Sequence, residues 1–420
     1  MASGTIGRFG SIDPSEGGGT ARHELSVGLR SRGLVGPQWD VQAYAVRYRL
    51  QLYSNFTFFL EDSIRGDGIE QRDGRWMVGG QGTYVRDAGV AGRAGRLGLG
   101  AGVRSDFADV ALYHQQQRTR LEPRVEADIS QQHLFGWGAE ALQLADRVRL
   151  EIGLRADLLR FGVADRLLGT RQAEWGGILS PKANLAVRVG TATTVFANAA
   201  AGFHSNDARE VVAAGTGVTT LPRATGMELG LRHSWTRGSL AASVWALDLE
   251  SELVYVGDEG ATEPSGRTRR VGIDLETRLR LAPWLWADAD VNLARGRFRD
   301  APGGADYIPL APTITSIGGL TVRDLGPWVG GLRYRVVGSR PADETGSITA
   351  LGSAVWEVFA TYRFARLNVV LTVDNLFAAS WNEAQFATTS RLVGEPGPVT
   401  ELQFTPGAPR SVQLGIAVRP

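Results

Sequence analysis

Pro409-Arg410-Ser411-Val412-Gln413-Leu414-Gly415-Ile416-Ala417-Val418-Arg419-Pro420 closes the chain, and its alternation decides the fold. Val412, Leu414, Ile416 and Val418 fall on one side of an extended backbone, and Ser411, Gln413, Gly415, Ala417 and Arg419 on the other. Side chains of a strand point to opposite faces in turn, so this segment has one apolar face and one polar or small face. Its length is close to the roughly 9–11 residues with which a tilted strand crosses a bilayer. The same alternation recurs through most of the sequence. The fold class it predicts is all-β: a transmembrane antiparallel β-barrel.

Working back from the end, Val271, Ile273, Leu275, Leu279 and Leu281 alternate with Gly272, Asp274, Glu276, Arg278 and Arg280. A tight turn, Ala282-Pro283-Trp284, follows, and Leu285, Ala287, Ala289, Val291 and Leu293 alternate again. Two long alternating strands joined by a short turn form a barrel hairpin. Strands are predicted near 22–33, 38–54, 75–86, 92–114, 128–144, 147–162, 176–189, 192–204, 224–236 and 239–256. Further strands are predicted near 267–282, 285–299, 313–324, 327–339, 353–365, 367–379 and 409–420, giving about 17 in all. Residues 1–20 are expected to be an N-terminal loop segment and 21–420 the barrel portion. After the second strand, short connections (87–91, 145–146, 190–191, 237–238, 282–284, 325–326 and 366) alternate strictly with long polar ones. The long ones are 55–74, 115–127, 163–175, 205–223, 257–266, 300–312, 340–352 and 380–408. Outer-membrane barrels alternate short periplasmic turns with long external loops in this way. No helix and no internal repeat is predicted.

Composition agrees with this reading. Charge is balanced at +1, with 45 basic and 44 acidic residues, which makes no case for nucleic acid. The 54 glycines suit crowded strands, tight turns and small inward positions. Cysteine is absent, which removes thiolate metal sites and thiol nucleophiles. No run of apolar residues is long enough for a membrane helix. The stretch Met1 to Gly10 shows no charged segment followed by an apolar core, as a signal peptide would. The last strand must end on the short-turn side, and counting back the first strand runs the same way. Bacterial barrels have an even strand number. The expectation is therefore the C-terminal part of a larger barrel.

Several segments resemble the barrel of TonB-dependent outer-membrane receptors. Val373-Asp374-Asn375-Leu376-Phe377 resembles the family's penultimate-strand motif, and Arg270-Val271-Gly272-Ile273-Asp274-Leu275-Glu276 its Arg-x-Gly-x-Glu-x-Glu strand. Pro222 to Gly230 is similar to a strand opening Pro…Glu-x-Gly, Ser180-Pro181-Lys182 to a Ser-Pro-Lys start, and Gly153-Leu154-Arg155-Ala156-Asp157 to a Gly-x-Arg-x-Asp strand. The resemblance runs from about Arg8 to Val418. It implies a monomeric barrel of about 22 strands in the outer membrane of a Gram-negative cell. It further implies a plug domain, a TonB box that engages the TonB system, and capture of a scarce small-molecule nutrient by external loops. A ferric siderophore or similar iron complex is the first expectation for that ligand, and a plugless passive pore or a structural barrel is the alternative. No cofactor and no enzymatic activity are implied. Neither plug nor TonB box is visible in this sequence. The family often ends on an aromatic residue, where this chain has Arg419-Pro420.

Candidate ligand contacts lie at the external mouth. His204, Asn206, Asp207 and Arg209 sit where a strand enters a long loop, and Tyr307 and Trp381 lie in later loops. The alternative for the first group is a local cluster that shapes the loop, since Asn and Asp bond nearby backbone at turns. Asp274, Glu276, Arg278 and Arg280 on one strand and Asp288 and Asp290 on the next are expected on the lumen wall. They would form either an electrostatic guide for solutes or cross-strand ion pairs. The five histidines form no zinc motif, so neither a metal site nor a catalytic residue is expected. Trp235, Trp284, Trp328, Tyr362, Phe364 and Phe377 are expected in interfacial girdles. Phe56, Phe58, Phe59 and Phe386 are expected either to bind a ligand from the loops or to pack the loops together.

Overall fold

The computed structural model describes residues 6–31, 36–212, 219–256 and 261–418. The expectation for Arg419 and Pro420, and the predicted strand end at 32–33, lie outside the described residues. A 17-stranded antiparallel sheet dominates. Its first ten strands are β1 (Gly17–Arg30), β2 (Gln38–Ser54), β3 (Ile69–Val90), β4 (Arg93–Gln116), β5 (Thr119–Ala145), β6 (Val148–Asp165), β7 (Thr170–Arg188), β8 (Thr193–Phe203), β9 (Arg223–Trp235) and β10 (Gly238–Leu249). The rest are β11 (Thr268–Ala282), β12 (Leu285–Phe298), β13 (Ile314–Leu325), β14 (Trp328–Val337), β15 (Ser353–Arg363), β16 (Leu367–Asp374) and β17 (Ser411–Val418). Each strand pairs with the next in a simple meander. Among the described residues no helix is long and apolar enough to cross a membrane.

Register turns the sequence alternation into two continuous faces, because directly paired residues share a face. Val412 pairs with Val373, Val373 with Val358, Val358 with Leu332 and Leu332 with Leu320. Leu229, Val244, Ile273 and Leu293 make a second such row. These side chains are open to the surroundings: Val412 is 66% exposed and Leu229 55%. A continuous apolar face of this extent calls for hydrocarbon rather than water. Rings mark its border at the short-turn end, where Trp328 meets Tyr362 edge-on at 4.8 Å and Tyr362 meets Phe364 at 4.6 Å. Such rings suit the membrane–water boundary.

The opposite face is polar, and its larger rings lie on glycines of the neighbouring strand. Trp137 covers Gly98 and Gly100, Phe135 covers Gly102, Phe196 covers Gly230, and Trp245 covers Gly272. A Cβ on Gly100 would sit 2.3 Å from the Trp137 indole nitrogen. Much of the glycine content is therefore room for inward rings.

Two expected long loops are instead strand. β4 runs to Gln116 and β5 starts at Thr119, joined by Gln117 (φ 48°) and Arg118 (φ 66°). Two successive positive φ values make the tight hairpin turn whose twist matches antiparallel strands. The second loop shrinks to 166–169. Beyond the bilayer a strand needs no apolar face, so its periodicity fades while its ladder continues. β1 also starts earlier than expected, at Gly17, and one short helix, α1 (Ala208–Val212), interrupts the all-β reading.

β1 pairs only with β2 and β17 only with β16 among the described residues, so the sheet is not closed by a ladder. At the long-loop end the two sides nevertheless touch. Asn382–Ser390 and Val399–Pro406 form their own ladder, and the loop 55–68 docks beside it. The Phe59 amide donates to the Arg391 carbonyl at 2.9 Å, the Arg391 amide donates to Thr57 at 3.1 Å, and Phe56 meets Phe386 edge-on at 5.9 Å. Arg8 donates to the Trp381 carbonyl and the Asn382 side chain at 2.6 and 2.7 Å. Phe58 is buried, so these rings pack loop against loop rather than facing solvent.

Gly319 shows how one glycine sets a wall contact. Asp288 on β12, Gly319 on β13 and Arg333 on β14 lie in one row. Arg333 reaches across the intervening strand to Asp288 at 2.5 Å. Gly319 has φ +156°, and a Cβ there would lie 2.0 Å from the Leu332 carbonyl oxygen. Gly319→Ala is expected to cost about 2 kcal/mol, through backbone strain and displacement of Arg333. Urea unfolding of the micelle-folded chain measures it. An unchanged midpoint would show that the gap is not needed.

Candidate functional site

The lumen wall is built from motifs that interlock. In Gly153-x-Arg155-x-Asp157 all three named residues face inward on β6 and meet β7 in register, Gly153 against Lys182 and Arg155 against Ser180. Gly153 leaves space for the Lys182 stem, whose Cε would lie 2.8 Å from a Cβ there. Lys182 then donates to Glu151 at 2.7 Å. Arg155 places Nε and Nη2 on the Asp157 carboxylate at 2.8 and 2.7 Å, with its plane 4.1 Å over Phe135. His133 Nε2 also meets Asp157, at 2.7 Å, and the Asp157 side chain has no exposed surface. Sequence reading missed His133. Its signal was its place two residues before Phe135 and four before Trp137 on the inward side of one strand.

The second stretch of wall holds the acidic and arginine strip. Asn292 donates to Asp274 across β11 and β12. Arg278 donates to both oxygens of Asp290, at 2.7 and 3.0 Å, and lies 3.6 Å from Glu276. Asp288 takes Arg333 as above, and Arg280 lies over Trp286 at 5.7 Å. The charges are spent on one another across four strands, which leaves a hydrated and nearly neutral surface.

The mouth residues divide among three loops. After β8, the chain turns into the lumen, and α1 lays Ala208, Val211 and Val212 against Leu159, Phe161, Val163 and Ala127 on the inner face of β5 and β6. The loop after β8 therefore packs down into the barrel, where sequence reading had placed an external segment. Asp207 caps α1 by accepting the Arg209 amide at 2.8 Å and binds the Arg209 guanidinium at 2.9 Å. Burial pushes the Asp207 carboxyl up, but hydrogen bonds and the charge of Arg209 outweigh it and hold it below its ordinary value. His204 Nε2 bonds the Ser251 carbonyl at 2.9 Å. The Asn206 side-chain Nδ2 donates to the Thr219 carbonyl at 2.7 Å, and Asn206 is buried. Asn206, Asp207 and Arg209 bond within their own loop, and His204 ties it to Ser251 after β10.

Tyr307 lies under Arg297, whose guanidinium is 3.6 Å from the ring centre. Trp381 donates its indole N–H to the Ala408 carbonyl at 3.1 Å and carries Arg335 at 4.9 Å. Beside it, a cavity of about 480 Å³ is lined by Trp381, Arg333, Arg335, Glu357, Asp374 and Glu383. It contains a sequence-predicted contact, Trp381, and its mixed charges suit a polar, multivalent small molecule. Asn375 holds its root: with φ 48°, it exchanges bonds with Ala379 at 2.8 and 2.9 Å and donates to Ala408 at 3.2 Å. The Asn-Leu-Phe motif thus ties the outgoing and returning ends of the last loop. No group of three or more His, Asp or Glu side chains is placed to hold a metal ion among the described residues.

A lipid-facing apolar shell, a polar inner wall and long loops folded over one end define a membrane β-barrel with a shaped, solute-sized mouth. The chain belongs to the TonB-dependent receptor-like β-barrel family, an outer-membrane family whose sequence model matches residues 2–376. Compared with curated protein sequences, it has no match. Among solved structures it is similar to the ferric citrate transporter FecA in its unliganded form, at 15% identity and a TM-score of 0.77, covering 97% of this chain and 62% of that one. The ferric-catecholate import receptor Fiu from K12 E. coli matches at 13% identity and 0.76, over 97% of this chain and 65% of that one. The copper transporter OprC matches at 17% and 0.74, over 96% and 66%. The chain spans roughly two thirds of the length of these structures or slightly less.

Proposed function

We propose that this chain forms the barrel of a receptor that takes up a scarce metal complex, a ferric siderophore or a similar iron chelate, with energy from the TonB system. It acts as a monomer and has no enzymatic activity. The observation that carries the reading is the mouth itself. A charged cavity lies beside Trp381, and the loop bearing α1 is folded onto the inner wall, so the entrance is shaped rather than open. The iron carriers among the similar structures support iron, and the copper transporter makes a copper complex the competing cargo.

Binding of a panel of ferric chelates and copper salts to the detergent-folded chain, read by calorimetry, tests this. Saturable binding of a ferric chelate, weakened at least tenfold by Arg335→Ala together with Trp381→Ala, is expected. No binding to any chelate, combined with a large steady conductance in planar bilayers, would replace the receptor by a passive pore.

A further inference from the structure

One sizeable groove of the molecule is on the wrong face for a nutrient. It has a volume of about 530 Å³ and is lined by Arg47, Trp76, Phe107, Ser130, Arg160 and Arg171, among others. The register fixes its direction. Arg47 pairs with Trp76, Trp76 with Phe107, Phe107 with Ser130 and Ser130 with Gly162, a single row across five strands. Two residues nearer the short turns, the next row is Ala45, Val78, Ser105, Gln132 and Arg160, and the row beyond it, Ala43, Gly80, Val103, Leu134 and Leu158, is wholly apolar or small. Those belong to the apolar, lipid-facing shell. The groove therefore opens outward, along the upper border of the apolar band, on the side of the long loops.

Its chemistry differs above and below that border. Trp76 and Phe107 are about half exposed and offer flat apolar surface. Among the described contacts, Arg47 lies 5.4 Å over the Trp76 ring, and Arg160 donates to Gln132 at 3.1 Å. Neither arginine has a carboxylate partner there, and the same holds for Arg171. The two acids of the groove, Asp109 and Asp128, are drawn to one shared cation: Arg166 binds them at 2.8 and 2.6 Å. Four arginines thus face two aspartates. Gly74, Gly162 and Ala164 keep the floor low between them. Arginines of this kind at a membrane border match phosphate in geometry as well as charge.

We propose that this groove is a docking site for a phosphate-bearing lipid of the surrounding outer leaflet. The phosphates lie between Arg47 and Arg171 with Arg160 reaching up from one row below, and an acyl chain runs down over Trp76 and Phe107 towards Val103 and Leu134. The site is independent of the lumen and of the nutrient taken up.

Native mass spectrometry of the full chain in non-ionic detergent tests it, with lipid A, its dephosphorylated counterpart and inorganic phosphate as probes. Lipid A adducts are expected to survive activation, and the dephosphorylated lipid is expected to bind far more weakly. Each of Arg47→Gln, Arg160→Gln and Arg171→Gln should weaken lipid A by about fivefold, and the triple variant by about a hundredfold. Arg86→Gln, on the same face near the short turns, should leave binding unchanged. Heat-dependent gel mobility confirms that each variant is folded. Equal adducts on the triple variant would overturn the site. Displacement of lipid A by an equal concentration of inorganic phosphate would overturn the lipid as occupant.

Discussion

Asp157→Ala is expected to destabilise the barrel by about 1–3 kcal/mol, because it removes the one buried acceptor shared by Arg155, which is partly open to solvent, and His133. Asp157 is the shared acceptor of Arg155 and His133, and its side chain has no contact with solvent. Removing it leaves Arg155 clamped over Phe135 at 4.1 Å, with two of its nitrogens unpaired in a crowded wall. Asp157→Asn keeps an acceptor oxygen and should cost less. Asp157→Leu combined with Arg155→Leu should cost least, since an apolar pair of similar bulk removes both charges together. Urea-dependent unfolding of the lipid- or micelle-folded chain measures all three. If the double variant is as unstable as Asp157→Ala, the cost lies in packing and not in the unpaired charge.

That cluster also shows what the sequence made legible. Gly153, Arg155 and Asp157 alternate with Leu154 and Ala156, and Ser180 and Lys182 straddle Pro181. Gly153, Arg155, Asp157, Ser180 and Lys182 face the lumen, Pro181 pairs with Leu154 on the lipid side, and the motifs meet each other in register. The motif around Gly272 obeys the same rule: the glycine lies under Trp245, while Asp274 and Glu276 face the next strand's polar side. A period of two is enough to separate lipid-facing from lumen-facing residues, so strand number and face could be read before any coordinate. Three features could not. The turn at Gln117 and Arg118 lies where polarity on both faces hides the alternation, although the ladder continues past it. α1 is a single turn, held by apolar contacts to β5 and β6 that are distant in sequence. The arginine groove is spread over β2, β6 and β7, and only the register brings Arg47 into line with Gly162. Local patterns carry local geometry. Contacts among distant strands depend on the register as a whole, and no short window of sequence contains it.

The external loops give the second large effect. Asp67→Ala is expected to unfold the loop 55–68 at a cost of about 3–5 kcal/mol while leaving the barrel strands in place. Asp67 is 2% exposed, and its carboxylate is the centre of the loop. Its oxygens accept the Thr57 hydroxyl at 2.8 Å and the amides of Leu60, Glu61 and Asp62 at 2.8, 3.1 and 2.7 Å. Without it, three backbone donors in a partly buried turn lose their acceptor at once, and each is costly to leave unmade. The loss should spread, because Thr57, Phe58 and Phe59 carry the contact to Arg391. Hydrogen exchange should therefore speed up in 55–68 and also in the ladder of Asn382–Ser390 with Val399–Pro406. Exchange in β2 and β3 should be unchanged. Asp67→Asn, which retains one acceptor oxygen, should fall between the two. Faster exchange confined to 55–68 would show that the two sides of the mouth hold their shape separately. Faster exchange in both places would make Asp67 the residue through which the first and last external loops are built as one unit.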